Sequence, residues 1–251
     1  MTSYEQRIMA EIAAWERKLL APPGLLQKAS KSFSMQINQW MPAKLQQTIT
    51  ATVKTIVRTA LFGVEFTPKR DVLAGASLEQ RDKLAAELVS TYQKVAAAEG
   101  AGTGSGGLLL AAVDFPALIA IQMRLLFELA HVYGCSTRDF DERIYILQLF
   151  QLNYASERQR AELYKTLKDW SHTRLQWQSE REYVSSMDWD QFQTDYRDSL
   201  DFRKMLQLLP GIGAVVGAWA NYGILQEIGE TAMNGYRVRH LNSSTQLADD
   251  Q

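Results

Sequence analysis

The composition of this 251-residue chain is that of an ordinary globular protein, with 46% hydrophobic and 22% charged residues, and it excludes disorder as the default. A net charge of -1 gives no general attraction to nucleic acid, so we expect no nucleic-acid partner. The single cysteine, Cys135, cannot form an internal disulfide, which favours a reducing, cytoplasmic location. Charged residues interrupt Met1 to Arg17, so we expect no secretion signal there.

The first predicted helix runs from about residue 3 to about residue 20, with Ser3 as its possible cap. Its apolar residues recur every three or four positions and therefore share one face: Ile8, Ile12, Trp15 and Leu19. The Pro-Pro-Gly run at 22–24 ends the helix.

Two further helices are predicted on either side of Pro42, from about 25 to 41 and from Ala43 onwards. This is the one strongly basic region, since seven Lys or Arg residues face a single acid between Leu25 and Arg70. Three of the cations gather on one helix face: Lys44, Lys54 and Arg58. Such a face is either simply solvated or a contact for anionic lipid.

A fourth helix begins with a capping-box pattern, with Ser77 as the cap and Gln80 three residues later. It continues towards Ala98 and meets a glycine-rich run that extends to Gly107. Asp114-Phe115-Pro116 then predicts a new helix start with Asp114 as the cap, and Gly134 is a natural left-handed stop.

The remainder of the chain also shows helical patterns. Ser136 or Thr137 can cap a helix to about 153, and a polar helical stretch from about 156 to 184 follows. A last helical region extends from Met205 to about Leu241, and residues 243–251 are predicted to be a flexible tail. No alternating strand pattern is present, so we predict an all-α multi-helix bundle with one domain over residues 1–242.

Two hydrophobic segments stand out. Met205 to Gln226 carries no formal charge and is long enough to cross a bilayer, but Pro210, four glycines and Asn221 dilute it, so a buried hairpin or a membrane-surface segment is equally consistent. The segment from Gly104 to Ala130 contains Asp114, Arg124 and Glu128, and a mid-bilayer charge costs at least about 3 kcal/mol on insertion scales. That second segment is therefore a poor spanning helix.

The glycines in these segments lie four residues apart and so share helix faces, where missing side chains let two backbones approach closely. Each glycine inside a helix costs about 1 kcal/mol relative to alanine, so a cluster of them indicates tight packing or a bend. We therefore predict that the two segments contact each other through Gly100, Gly102, Gly104, Gly106, Gly213 and Gly217.

Short motifs spread along the chain resemble the EcsC family. They are Tyr4-Glu5 with Trp15, the glycine run before Asp114-Phe115-Pro116, Tyr133-Gly134, Asp141-Glu142-Arg143, Pro210-Gly211-Ile212-Gly213-Ala214 with Gly217 and Asn221, and Ile228-Gly229 with Ala232, Tyr236, Arg237 and Arg239. The resemblance implies a bacterial protein with one EcsC-like helical domain. It supplies no reaction, but the family takes its name from a gene beside genes for an ABC transporter, which implies a membrane protein of that kind as a possible partner.

Motifs for chemistry are scarce, and we assign no catalytic residue and no cofactor. Three histidines stand apart in sequence and no cysteine pair exists, so we expect no metal site; Glu128-Leu129-Ala130-His131 is a single copy of a di-metal motif. The glycines from Gly102 to Gly107 match a dinucleotide-binding pattern, but the required strand before them is missing.

Several polar residues within apolar surroundings are candidates for a pocket: Asp114, Arg124, Glu128 and Asn221. Arg124 and Glu128 are four residues apart and predict an ion pair. Asn221 is equally a buried hydrogen bonder. Arg237 and Arg239 near a helix end either complement its dipole or bind an anionic head group.

Three hypotheses for function follow from these observations. The first is a non-enzymatic cytoplasmic protein at the inner face of the cell membrane, bound to anionic lipid or to a membrane protein such as an ABC transporter. The second is an enzyme or small-molecule binder with a pocket between the glycine-rich helices. The third is a soluble interaction module that uses Trp170, Trp177, Tyr183 and Trp189. The oligomeric state is not predicted.

Overall fold

A computed structural model describes residues 2–22, 47, 51, 68, 71–104, 107–177, 179–188, 191–192, 195 and 213–249. Its helices are α1 (Ser3–Leu20), α2 (Leu78–Gly104), α3 (Gly107–Val132), α4 (Phe140–Tyr154), α5 (Glu157–Lys168), α6 (Trp170–Thr173), a 3₁₀ turn (Arg174–Gln176), α7 (Glu180–Ser186) and α8 (Gly213–Asp249). The described residues contain no strand, which confirms the predicted all-α class for this part of the chain. The basic helices predicted around residues 25–60 lie outside it.

Helix α1 has the predicted bounds, but its cap is a different residue. Thr2, and not Ser3, is the cap: its hydroxyl accepts from the Glu5 amide at 3.2 Å, while its own amide donates to Glu5 Oε2 at 2.8 Å. Both exchanged bonds satisfy amides that the first turn leaves unpaired. The predicted apolar face is confirmed, since Ile8, Ile12 and Trp15 are buried.

Helix α2 begins with the predicted capping box, because Ser77 and Gln80 exchange hydrogen bonds of 3.0 and 3.3 Å. The helix does not end near Ala98 but continues through the first glycines to Gly104.

Helix α3 already begins at Gly107, and the prediction that Asp114 caps a new helix is therefore wrong. Pro116 therefore lies inside a helix, where proline removes one backbone hydrogen bond and its ring crowds the carbonyl four residues earlier, at a cost of about 3 kcal/mol. The predicted stop is confirmed: Gly134 follows the helix with a φ of +85°, which favours glycine.

Helix α4 forms the centre of the described core, since it is buried on every side. It begins at Phe140 after Asp139, and not after Ser136 or Thr137. The polar stretch predicted from 156 to 184 is helical but divided, with breaks at Asp169 and at Trp177.

Helices α2 and α8 are an antiparallel pair, and four contacts fix their register. Gly100 lies against Gly217, Ala96 against Asn221, Val89 against Gly229, and Asp82 against Arg237. Each step back along α2 matches a step forward along α8. Helix α8 continues to Asp249, beyond the end predicted near Leu241 and through most of the segment predicted as a tail.

Candidate functional site

One end of the α2–α8 pair holds a buried carboxylate with three donors. Asp82 accepts from the Tyr4 hydroxyl at 2.7 Å, from the Tyr133 hydroxyl at 2.5 Å and from Arg237 Nε at 3.0 Å. The Arg237 guanidinium also lies 3.5 Å from Glu11 Oε2. Charge-assisted bonds of this kind are what a buried carboxylate requires, so Asp82 joins α1, α2, α8 and the residue that follows α3.

A second buried carboxylate lies on α4. Glu142 accepts from the Tyr236 hydroxyl at 2.6 Å and from Arg239 Nη1 at 2.6 Å. The Arg239 guanidinium also lies 4.8 Å from the ring centroid of Tyr145, whose hydroxyl donates to the Gly235 carbonyl at 2.8 Å. Helix α8 is thus fixed to α4 by side chains on successive turns.

The two carboxylate centres meet through aromatic rings. The rings of Tyr133 and Tyr236 stack with centroids 5.0 Å apart and an interplanar angle of 9°. We call this set the paired-arginine network: Tyr4, Asp82, Tyr133, Glu142, Tyr236, Arg237 and Arg239.

The protonation states of the paired-arginine network indicate a structural role. Burial and the adjacent carboxylates raise the pKa of Tyr133 and of Tyr236 well above 10.0, so both hydroxyls stay protonated donors at neutral pH. Burial, together with the charge of Glu142, raises the pKa of the Cys135 thiol to about 12, which leaves it a poor nucleophile. No proton-transfer role follows for these groups.

The resemblance motifs contribute most of this network, but sequence reasoning missed Asp82. The available signal was its position: Asp82 lies four residues after Leu78 and three before Ala85, both buried, so it falls on the apolar face of α2. An acid on such a face needs a partner.

The arginines predicted as helix-end or anion contacts are placed differently. Helix α8 continues ten residues beyond Arg239 to Asp249, so the interpretation of Arg237 and Arg239 as complements of the helix dipole is wrong. Their side chains are 12% and 27% exposed and bind Asp82 and Glu142. The other predicted lipid or anion contacts, Lys44, Lys54 and Arg58, lie outside the described residues.

Three of the four predicted polar-pocket residues have defined partners in the structure. Arg124 and Glu128 form the predicted ion pair within α3, at 3.6 Å, and Glu128 also accepts from the Tyr92 hydroxyl at 2.7 Å. Asn221 is fully buried and donates to the Ala96 carbonyl at 3.1 Å. Asp114 lies inside α3, and its side chain is outside the described structure.

The six glycines predicted to pack together have different surroundings. Gly100 faces the backbone of Gly217, whereas nothing described lies within 4 Å of a Cβ placed on Gly102. Gly104 and Gly213 are the terminal residues of α2 and α8, and Gly106 lies outside the described residues.

A cavity of about 320 Å³ lies between α4, α5 and α7, and its described lining contains no residue of the paired-arginine network or of the predicted polar pocket. Its walls combine amides, carboxylates and aromatic rings, including Gln148, Glu162, Trp177, Tyr183 and Asp188. Part of the aromatic region predicted as an interaction surface belongs to this wall. Trp170 and Tyr183 are nonetheless buried, and Trp189 lies outside the described residues.

The described residues lack two features that would have defined a site or a location. They contain no group of three or more His, Cys, Asp or Glu side chains placed to hold a metal ion. None of their helices combines the length and apolar character that a membrane crossing requires.

Over the described residues, fold and site therefore define an all-helical class of protein, in which buried ion pairs join the long helix α8 to α2 and to α4. The chain belongs to the EcsC protein family, whose model matches residues 6–241. It is 36% identical to Protein EcsC of Bacillus subtilis (strain 168) over 239 residues, which cover 95% of this chain and 97% of that protein. It is 29% identical to Uncharacterized protein YdbA of the same organism over 167 residues, 66% of this chain and 60% of that protein. No solved structure matches.

Proposed function

We propose that the protein binds a membrane surface as a peripheral, non-enzymatic helical protein, with one exposed apolar face of α8 as the contact. The observation that carries the proposal is the exposure of Val215, Trp219 and Tyr222, whose exposed fractions are 76%, 66% and 41%. They are spaced by four and three residues and therefore share one side of the helix. We call these three residues the α8 apolar face.

The α8 apolar face has the chemistry of a bilayer interface. Tryptophan and tyrosine are enriched at the level of the lipid head groups, because their rings are both apolar and polar. Helix α8 carries no charge from Gly213 to Gln226, and exposed Glu227 marks the end of this part. A helix can lie along the surface with such a face inserted.

The opposite side of the same helix is held in place by the protein. Gly217, Ala220, Asn221 and Ile224 are buried, and Gly217 lies against Gly100 of α2. The contact between the glycine-rich parts of α2 and α8 therefore holds α8 in place, with the α8 apolar face on its exposed side. A face fixed in this way is ordered before binding, so little entropy is lost when it meets lipid.

Anionic lipid is the occupant that the sequence favours. The segment from Leu25 to Arg70 has seven Lys or Arg residues against one acid, and each cation near an anionic surface contributes about 1 kcal/mol. Such lipid is characteristic of the inner face of the cell membrane. A membrane protein such as an ABC transporter is the competing partner.

Vesicle flotation of the full chain tests the proposal. We expect binding to vesicles of phosphatidylcholine with phosphatidylglycerol, and weaker binding without phosphatidylglycerol. Trp219→Ser should lower the partition coefficient by roughly 10- to 150-fold, because burying such a ring stabilises the bound state by roughly 1.5–3 kcal/mol. The matched control is Leu175→Ser, which removes another apolar side chain that is 68% exposed.

Equal losses in Trp219→Ser and Leu175→Ser would show that the α8 apolar face is not the contact. Binding to native membrane vesicles that protease treatment abolishes, without binding to pure lipid, would overturn the lipid proposal in favour of a membrane protein. No binding to either would exclude membrane association altogether.

A further inference from the structure

The cavity between α4, α5 and α7 has no residue of the α8 apolar face in its described lining. We propose that it binds a small organic cation that carries several N–H donors, of the alkyl amine or guanidinium class. Its volume of about 320 Å³ is at the lower end of the range for small-molecule sites, roughly 300–1,000 Å³.

The charge of the walls favours a cation. Three carboxylate side chains line the cavity, from Glu162, Asp188 and Asp195, and its described lining contains no Lys, Arg or His. The Asp195 carboxylate is buried and accepts from Gln191 Nε2 at 2.9 Å. Glu162 and Asp188 are exposed, so of the three carboxylates the buried Asp195 attracts a cation most strongly.

A buried acceptor gives a second, independent indication. Gln148 lines the cavity and is 3% exposed. Its side chain is hydrogen-bonded to Tyr183, but its Oε1 has no hydrogen-bond partner among the described residues. A buried amide oxygen without a donor destabilises the fold. A ligand that brings N–H donors relieves this penalty.

Aromatic rings complete the site. Trp177 and Tyr183 line the cavity and meet edge to face, with centroids 5.1 Å apart and an angle of 88°. Phe192 lines it from another side. The faces of such rings attract cations within about 6 Å, and an amine or guanidinium gains more from them than a metal ion that keeps its water. Carboxylates, a free acceptor and aromatic rings together select an organic cation.

Thermal unfolding of the full chain with agmatine as the probe tests this inference, because agmatine carries an amine and a guanidinium on an alkyl chain. At constant ionic strength we expect a saturable rise in Tm with agmatine and none with neutral 1,4-butanediol or anionic glutarate. Glu162→Gln should weaken the apparent affinity about tenfold. Its control is Glu157→Gln, an exposed glutamate on the same helix that does not line the cavity.

Gln148→Leu provides a second readout. It removes the buried acceptor and its bond to Tyr183 while keeping a similar volume, and Gln151 still bonds to Tyr183. The protein without ligand should therefore keep about the stability of the wild type, and the response to agmatine should be lost. The proposal is overturned if agmatine produces no saturable shift at millimolar concentration, or if butanediol raises Tm equally. It is also overturned if Glu162→Gln and Glu157→Gln respond to agmatine like the wild type.

Discussion

Gly100 occupies the closest approach of α2 and α8, where there is no room for a methyl group. A Cβ on this residue would lie 2.5 Å from the Gly217 carbonyl oxygen and 2.6 Å from Asn221 Nδ2. The oxygen belongs to the backbone of a long helix and cannot rotate away, so alanine would push the two helices apart.

We expect Gly100→Ala to lower the free energy of unfolding by about 1–3 kcal/mol, because the strain of overpacking exceeds the gain of about 1 kcal/mol in helix propensity. Gly102→Ala is the matched control, because Gly102 is exposed and nothing described lies within 4 Å of a Cβ added there. This variant should raise the free energy of unfolding by about 0.5–1 kcal/mol. Urea unfolding of both variants measures the difference. Two stabilised variants would contradict the close contact with Gly217.

The sequence predicted close packing for this run but could not distinguish Gly100 from Gly102. Both lie in a stretch where every second residue is glycine, so spacing alone gives them the same role. What separates them is the register of α8, which brings Gly217 to one and leaves the other open. Register depends on contacts across the whole length of both helices, and a local pattern does not contain them.

At the scale of the helix, α1 is held on α5 by one carboxylate. Glu16 Oε1 accepts from the Tyr164 hydroxyl at 2.7 Å and from Lys168 Nζ at 2.8 Å, and Trp15 packs edge-on against Tyr164. Burial favours the neutral acid, but the two hydrogen bonds outweigh it and lower the pKa of Glu16 below 4.5.

This lowered pKa makes the attachment of α1 sensitive to acid. Since the pKa of Glu16 is lower in the folded state, its stabilisation is complete above about pH 4.5 and is lost as the pH falls through the folded value. We expect the wild type to be more stable than Glu16→Gln at pH 7, and the gap to close in acid. Urea unfolding between pH 7 and pH 3 measures it, with Glu87→Gln on an exposed part of α2 as the control. A gap that does not change with pH would show that Glu16 is not ionically paired.

Helix boundaries were predictable where a side chain completes a cap, as at Ser77, and where a positive φ ends a helix, as at Gly134. The predictions of helix boundaries were wrong where the local sequence is compatible with two structures. Asp114-Phe115-Pro116 can start a helix or continue one, and α3 continues through it. The breaks at Asp169 and Trp177 lie in a polar stretch whose composition is helical throughout, so packing against α4 decides them.

For the whole molecule, the paired-arginine network joins residues from both ends of the described chain. Sequence resemblance had marked most of its members individually, such as Tyr4 and Tyr236, but not their convergence. The partners of these residues lie on distant helices, and a positive charge on an arginine does not indicate which acidic residue it pairs with. The cavity between α4, α5 and α7 could not be predicted from the sequence either, because its lining residues come from four separate elements.

A thermodynamic cycle on Asp82 and Arg237 tests whether this network holds the molecule together. Arg237→Met leaves a buried carboxylate without its guanidinium partner and should lower the free energy of unfolding by about 3–5 kcal/mol. Asp82→Asn added to it removes the charge but keeps an oxygen for the hydroxyls of Tyr4 and Tyr133, and should restore about 1–3 kcal/mol.

Urea unfolding of the two single variants and the double variant gives the coupling energy, with Arg158→Met as the control for the loss of an exposed arginine. Because Asp82 receives donors from α1, from α8 and from the end of α3, we also expect Arg237→Met to speed amide exchange in α1 and α2 together, and not at α8 alone. Strictly additive losses, or faster exchange confined to α8, would mean that the ion pair is a local contact. The N-terminal helix would then be held by its apolar face of Ile8, Ile12 and Trp15 without help from the network.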